Sequence, residues 1–492
     1  MTSLRTWVVA ALALVVATSA AGVYLNPDGL GQALIYPYYT VQSAGGNPFN
    51  TLISVVNHTA DAKVVQVRFR EGRNARPVLR FHVYLNPGDV WTAGVVPASA
   101  DTASPARLVT FDASCTNPPI PPEGIDFRNV TYIGAQADAA GDGLDRTREG
   151  FVELIELGTL PSASAANLAR DANGVPANCA ALQAGLVSPV LDTPSGGLSG
   201  TLTLINVASG MDFTVNADAL AQLSSRPMPR TLGGSDADFN AAEIDPVSQA
   251  IANGFFYRSV WTRPVDAVSA ALMRSSWSGE FIVDDATRSK TDFVTTFPTR
   301  EFYVTTAGAA APFTRPFRWY PECSSHLDPA AGEPIAVVAR DRESRVERID
   351  NNQGCGFLCP PGTKRWTMCA AASVFDVRSN FTVFVPLPPQ TPALGSFNRA
   401  FGGEALELPT MKHGWISLEG LDAGTLASLP SSTRTNVTTG EAITGAHTYR
   451  GLPVTGLWVR TFENGTLACS AGTCQGNYGG SFPLTYTRSI TP

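Results

Sequence analysis

Apolar and polar residues alternate with a period of two through much of this chain. In residues 63–70, Val65, Val67 and Phe69 alternate with Gln66, Arg68 and Arg70, which predicts a half-buried strand. Residues 78–85 alternate in the same way. The turn Asn86-Pro87-Gly88-Asp89 then leads into a further strand at 90–96. Upstream, residues 33–40 are aromatic and apolar with Pro37 at an edge or bulge position, and residues 51–57 follow a Gly-Gly-Asn-Pro loop. Closely spaced strands separated by turns predict an antiparallel sandwich.

Further strands are expected at 107–112, 130–135, 150–157 and 200–207. After residue 281 they are expected at 295–305, 334–346, 373–385, 414–418, 456–462 and 482–488. Two segments read as helices. One is 241–253, with Ile244, Val247 and Ile251 at helical spacing. The other is 265–275, with Val265, Val268 and Leu272 on one side. The fold class expected is mainly β: two antiparallel Ig-like sandwiches with a few short helices and long loops. The units expected are a leader at 1–21, an N-terminal β-sandwich with a helical insertion at 22–300, and a disulfide-bonded β domain at 301–492.

The leader rests on Arg5, the apolar run Trp7 to Val16 and the small residues Ser19-Ala20-Ala21, the pattern of a secretory signal. The run is too short for a membrane span, and no later segment approaches one, so the expectation is a secreted chain with no transmembrane segment. Eight cysteines follow the leader: Cys115, Cys179, Cys323, Cys355, Cys359, Cys369, Cys469 and Cys474. An even number in an exported chain reads as disulfides. Cys115 and Cys179 stand alone in the N-terminal half and pair most simply. Cys469 and Cys474 flank a turn, and the middle four leave three pairings open.

Charge excludes one class of partner. The net charge is −7, and the arginines are scattered and form no stripe, so nucleic acid is not expected. Charged residues make up 16% of the chain, below the ~25% of ordinary globular proteins.

Catalytic signatures are sparse. No G-x-S-x-G elbow and no H-E-x-x-H motif occur, and there are only five histidines, of which His82 sits in an alternating strand and is expected to face solvent. Glu153 and Glu156 are the acid/base candidates, but strand parity sets them on opposite faces as solvated side chains. Calcium is the one cofactor with loop grammar behind it. Asp138, Asp142, Asp145 and Glu149 fall in a twelve-residue loop with Gly143 at its sixth position, although Ala140 takes a ligand position. Asp236, Asp238 and Asn240 form a weaker version. Tyr36, Tyr38, Tyr39 and the tryptophans are candidates for stacking on sugars, with core packing as the default.

Several stretches resemble a family of secreted bacterial proteins. They include GQALIYPYYT (residues 31–40), VRFREGRN (67–74), YLNPGDVWTA (84–93), REGFVELIELG (148–158), TDFVTTFPTREFYV (291–304) and GLPVTGLWVRTFENGTL with NYGGSF (451–482). The resemblance implies secretion. Residues 51–93 are also similar to Ig-like modules of surface and pilus-assembly proteins. The function expected is a non-enzymatic cell-surface or extracellular protein, structural or adhesive, with self-assembly into a homo-oligomer or filament through β edges. The alternatives are a carbohydrate-binding protein or glycoside hydrolase acting on surface polysaccharide, and a periplasmic assembly factor.

Overall fold

The computed structural model describes residues 22–44, 47–172, 174–184, 190–228, 237–284, 286–319, 332–348, 366–378, 393–398, 400, 406–408, 410–420, 424–469 and 472–492. The expected leader, and Cys323, Cys355, Cys359 and Asp236, lie outside the described residues. The chain is mainly β, built of antiparallel sheets with a few short helices.

The alternating segments form the first sandwich. A seven-stranded sheet runs in the order Tyr24–Leu25, Asp218–Ala221, Ala33–Thr40, Glu149–Thr159, Lys63–Glu71, Pro77–Leu85 and Thr116–Asn117. It faces a six-stranded sheet whose centre is Val90–Pro97, Asn50–Asn57 and Leu198–Asn206. Val67, Phe69, Phe81 and Leu154 from one sheet meet Ile53, Val55, Trp91 and Leu204 from the other, all buried. Each such side chain contributes about 1.5–3 kcal/mol by leaving water. The sheets approach closely at Gly200, where an added Cβ would strike Tyr36 Oη, whose hydroxyl donates to the Ser54 carbonyl at 2.7 Å.

The second sandwich draws strands from both halves of the sequence. Ser276–Ile282 lies between His413–Gly420 and Thr485–Thr487, while Ser289–Thr296 lies between Ala372–Arg378 and Thr455–Phe462. Hydrogen bonding therefore crosses the boundary expected near residue 300. Trp277, Phe281, Val337 and Leu418 pack against Phe293, Phe375 and Trp458 inside this sandwich. The other face of its inner sheet, with Val294, Val374, Leu457 and Val459, joins the core of the first sandwich. Strands buried on both faces explain why Ala33–Thr40 is buried at every position.

The helix Pro264–Leu272 forms in the expected place, with proline at its first turn, and packs on Val247–Ala252, Leu452–Pro453 and Tyr24–Leu25. The other expected helix, 241–253, is not one. Val247–Ala252 is a strand, paired in a hairpin with Phe255–Val260. The connecting Asn253 and Gly254 have φ of 51° and 78°, as a type I′ turn requires. Ser248, Ala250 and Ala252 face inward while Gln249 and Ile251 do not, so the helical spacing of Ile244, Val247 and Ile251 was coincidental. The expected strand at 130–135 is a set of turns ending in a short 3-10 helix, Gly134–Gln136.

Candidate functional site

The side chains that sequence patterns pointed to are used internally. Arg146 spans two buried carboxylates, donating to both oxygens of Glu71 at 2.8 and 2.9 Å and to both oxygens of Asp138 at 2.7 Å. Asn74 also holds Asp138, at 2.8 Å. Burial pushes the Asp138 carboxyl up, but the Arg146 bonds and charge more than reverse this and hold it below the ordinary aspartate range. Asp145 pairs with Arg73, and Asp142 is exposed. Glu149 accepts from Tyr38, Ser396 and two backbone amides. The four calcium candidates thus do not converge, and among the described residues no group of three or more His, Cys, Asp or Glu side chains is gathered for a metal.

Glu153 and Glu156 are not solvated as expected. Glu153 is buried against Arg70 at 2.6 Å, and Glu156 against Lys63 at 2.7 Å. Burial lifts both carboxyls above their usual range despite the cation beside each. His82, expected to face solvent, is fully buried, because the polar face of its strand is covered. His447 Nδ1 lies 3.2 Å from Ser259 Oγ, but Ser259 is fully buried, so this pair offers no accessible nucleophile.

Cys115 is bonded to Cys179 as expected. Cys369 is also disulfide-bonded. Cys469 and Cys474 lie on the paired strands Thr466–Cys469 and Gly472–Gln475. Tyr36, Tyr38, Tyr39 and most of the described tryptophans are core residues. Trp319 is partly buried, and Trp415 is 38% exposed with the Arg340 guanidinium 4.7 Å from its ring centroid.

An open cleft of about 540 Å³ lies elsewhere, where the two ends of the described chain meet the 247–260 hairpin. One wall is N-terminal. Val23 bridges the strand Val247–Ala252, donating to the Val247 carbonyl at 2.8 Å and accepting from the Gln249 amide at 2.9 Å, which sets Tyr24 and Leu25 along the cleft. The floor is the hairpin, which contributes Gln249, Asn253 and the cross-strand pair Ile251 and Phe256; Ile251 is 69% exposed. The far wall is C-terminal. Thr485–Thr487 pairs with Ser276–Ser278, which brings Tyr486 and Arg488 to the rim.

Both arginines of this wall have structural anchors. Arg488 donates to the Ala271 carbonyl in the last turn of Pro264–Leu272, where a helix leaves carbonyls unpaired and favours a cation. The buried Arg274 guanidinium stacks on Tyr486 at 3.4 Å from the ring centroid, and Tyr486 remains 44% exposed. Burial and then repulsion from Arg488 push Arg274 down to about 9, still protonated at neutral pH. No family model, curated protein or solved structure matches this chain. The cleft is therefore read from its own chemistry. Aromatic rings, two side-chain amides and a guanidinium line it, with no carboxylate, imidazole or thiol among its described lining residues. Such a set can stack and hydrogen-bond a ligand but supplies no acid/base pair.

Sequence reasoning missed every residue of this cleft. Only Asn253-Gly254 carried a local signal, as a hairpin turn. The rest are brought together from more than 200 residues apart.

Proposed function

We propose that this is a secreted, non-enzymatic adhesive protein that holds extracellular polysaccharide in the cleft between Tyr24, Phe256 and Tyr486. The observation that carries the reading is the lining itself. Sugar rings present apolar C–H faces that stack on aromatic rings, and their hydroxyls bond amides and guanidinium groups. Gln249, Asn253 and Arg488 supply those polar partners around the three rings. Export is supported by the leader-like residues 1–21 and by the Cys115–Cys179 disulfide, which suits an oxidising space. No helix among the described residues is long and apolar enough to cross a membrane.

The test is a calorimetric titration of the mature chain with a panel of neutral and acidic polysaccharides. At least one should bind without being cleaved, and Tyr486→Ala should weaken it about tenfold, the magnitude of one lost stacking platform. Absence of binding across the panel, or unchanged affinity in the variant, would defeat the proposal.

A second reading, self-assembly through β edges, draws on the strand Ala442–Thr444. It is the edge of the four-stranded sheet containing the hairpin, and all three residues are exposed. Light scattering over a concentration series tests it. A mass that stays monomeric would dismiss it.

A further inference from the structure

The rim of the cleft is cationic although the chain as a whole carries −7. Two guanidinium groups flank the Tyr486 ring, Arg274 at 3.4 Å and Arg488 at 5.9 Å from its centroid. Among the described residues neither forms an ion pair with a carboxylate. This differs from the interior, where Arg70 is paired with Glu153 and Glu301, and Arg146 with Glu71 and Asp138. Asp218 acts on Arg274, and its carboxylate accepts the Thr455 hydroxyl. No acidic side chain is drawn into the cleft lining.

Two like charges held around one ring, Arg274 at 3.4 Å and Arg488 at 5.9 Å from its centroid, repel each other. An anion in the cleft would relieve that repulsion. Arg488 commits one nitrogen to the Ala271 carbonyl and retains further N–H donors of its planar fork. That fork matches a carboxylate, and Tyr486 beside it offers a ring face to the sugar bearing the charge.

We infer that the cleft selects a carboxylate-bearing sugar, a uronate unit of an acidic polysaccharide, with the carboxylate on Arg488 and the ring against Tyr486. This rests on the polysaccharide reading above and adds the charge of the ligand to it. Salt should weaken binding, because the contact lies at an open rim and is screened.

The experiment compares matched ligands on the mature protein: oligogalacturonate, alginate and hyaluronan oligomers, each beside its carboxyl-reduced, neutral form. At least one acidic oligomer should bind about tenfold or more tightly than its reduced counterpart. Arg488→Gln should lower the affinity for the acidic form by a larger factor than that for the neutral form and so bring their ratio close to one, and Arg488→Lys should retain part of the preference. The wild-type comparison needs no variant, so a folding defect in Arg488→Gln does not cloud it. Equal binding of acidic and reduced forms, or binding of neutral oligomers alone, overturns the inference and leaves the polysaccharide reading standing. Binding of none, neutral glucans and xylans included, overturns both.

Discussion

Glu149 offers the sharpest test of how the two sandwiches are joined. It begins the strand Glu149–Thr159 of the first sandwich, is buried, and accepts four donors. Tyr38 Oη and Ser396 Oγ reach one carboxylate oxygen at 2.7 and 2.6 Å, while the Phe397 and Asn398 amides reach the other at 2.9 Å each. Three of the four come from residues 396–398, which hydrogen-bond onward to Ala372–Arg378 of the second sandwich through the Val374 amide and the Asn398 carbonyl. Glu149→Ala would take this acceptor from all four donors, of which the Asn398 amide keeps a second one in Ser396 Oγ at 3.1 Å. The two hydroxyls can rotate toward other acceptors and the Asn398 amide keeps Ser396 Oγ, so the Phe397 amide, at about 1–3 kcal/mol for an unsatisfied donor, together with the lost bonds of the others sets a cost of about 2–4 kcal/mol. Glu149→Gln keeps one oxygen for the amides and offers N–H groups to the hydroxyl oxygens, so it should cost only about 1 kcal/mol. The assay is hydrogen exchange of the Phe397 and Asn398 amides, with the denaturation midpoint alongside. Protection should fall steeply in Glu149→Ala and little in Glu149→Gln, and calcium or a chelator should move neither. If Gln proved as damaging as Ala, and calcium stabilised the wild type, Glu149 would be a cation ligand and its role as a buried acceptor would be refuted.

Two further outcomes follow from the buried charges and the disulfide. Arg146→Met leaves Glu71 and Asp138 buried without their cation and should cost about 3–5 kcal/mol in denaturant unfolding, with much of the loss recovered when both acids are also neutralised by Glu71→Gln and Asp138→Asn. Because Asp138 sits below its ordinary value of 3.8 when folded, its contribution is complete above that value. It is lost as pH falls through the lower folded one, so Asp138→Asn should flatten the acid limb of the melting curve below about pH 4. An unchanged limb would refute the assignment. Replacing Cys115 and Cys179 by serine opens a loop of sequence separation 64 and should destabilise by about 4 kcal/mol on the chain-entropy account. A midpoint insensitive to reducing agent and to both substitutions would count against it.

The strands were legible because period-two alternation is imposed by the pleat, and residues 33–40 and 63–70 fell where they were expected. What the alternation could not reveal was what covers the polar side. Glu153, Glu156 and His82 belong to a sheet packed on both faces, so charged positions that looked solvated are buried beside Arg70 and Lys63 on the neighbouring strand. The cross-strand partners of Glu153 and Glu156 are distant in sequence, and a single sequence gives no register to connect them. The misread helix at 241–253 has a similar cause. Three apolar residues fall at helical spacing by chance, while the backbone obeys the hairpin turn at Asn253-Gly254. The calcium loop failed as a motif because Arg146, inside the loop itself, satisfies the acid that a metal would have needed at its first position.

The cleft depends on chain topology more than on any local pattern. Its walls are the first and last segments described, and each is fastened to the same central region: Val23 to the strand Val247–Ala252, and Thr485–Thr487 to Ser276–Ser278. Arg488 is fixed in turn by the end of the helix Pro264–Leu272, and that helix leads through Arg274 into Ser276–Ile282. One short stretch, 247–282, therefore positions the floor, the far wall and the buried cation behind Tyr486. A perturbation there should move all three together, whereas loosening Val23 alone would release only the Tyr24 wall. Loss of ligand binding after a change at Val23 would then come with intact stacking of Arg274 on Tyr486, and loss after a change in the helix would not. That difference separates a site built by its own residues from one that merely follows the stability of the whole fold.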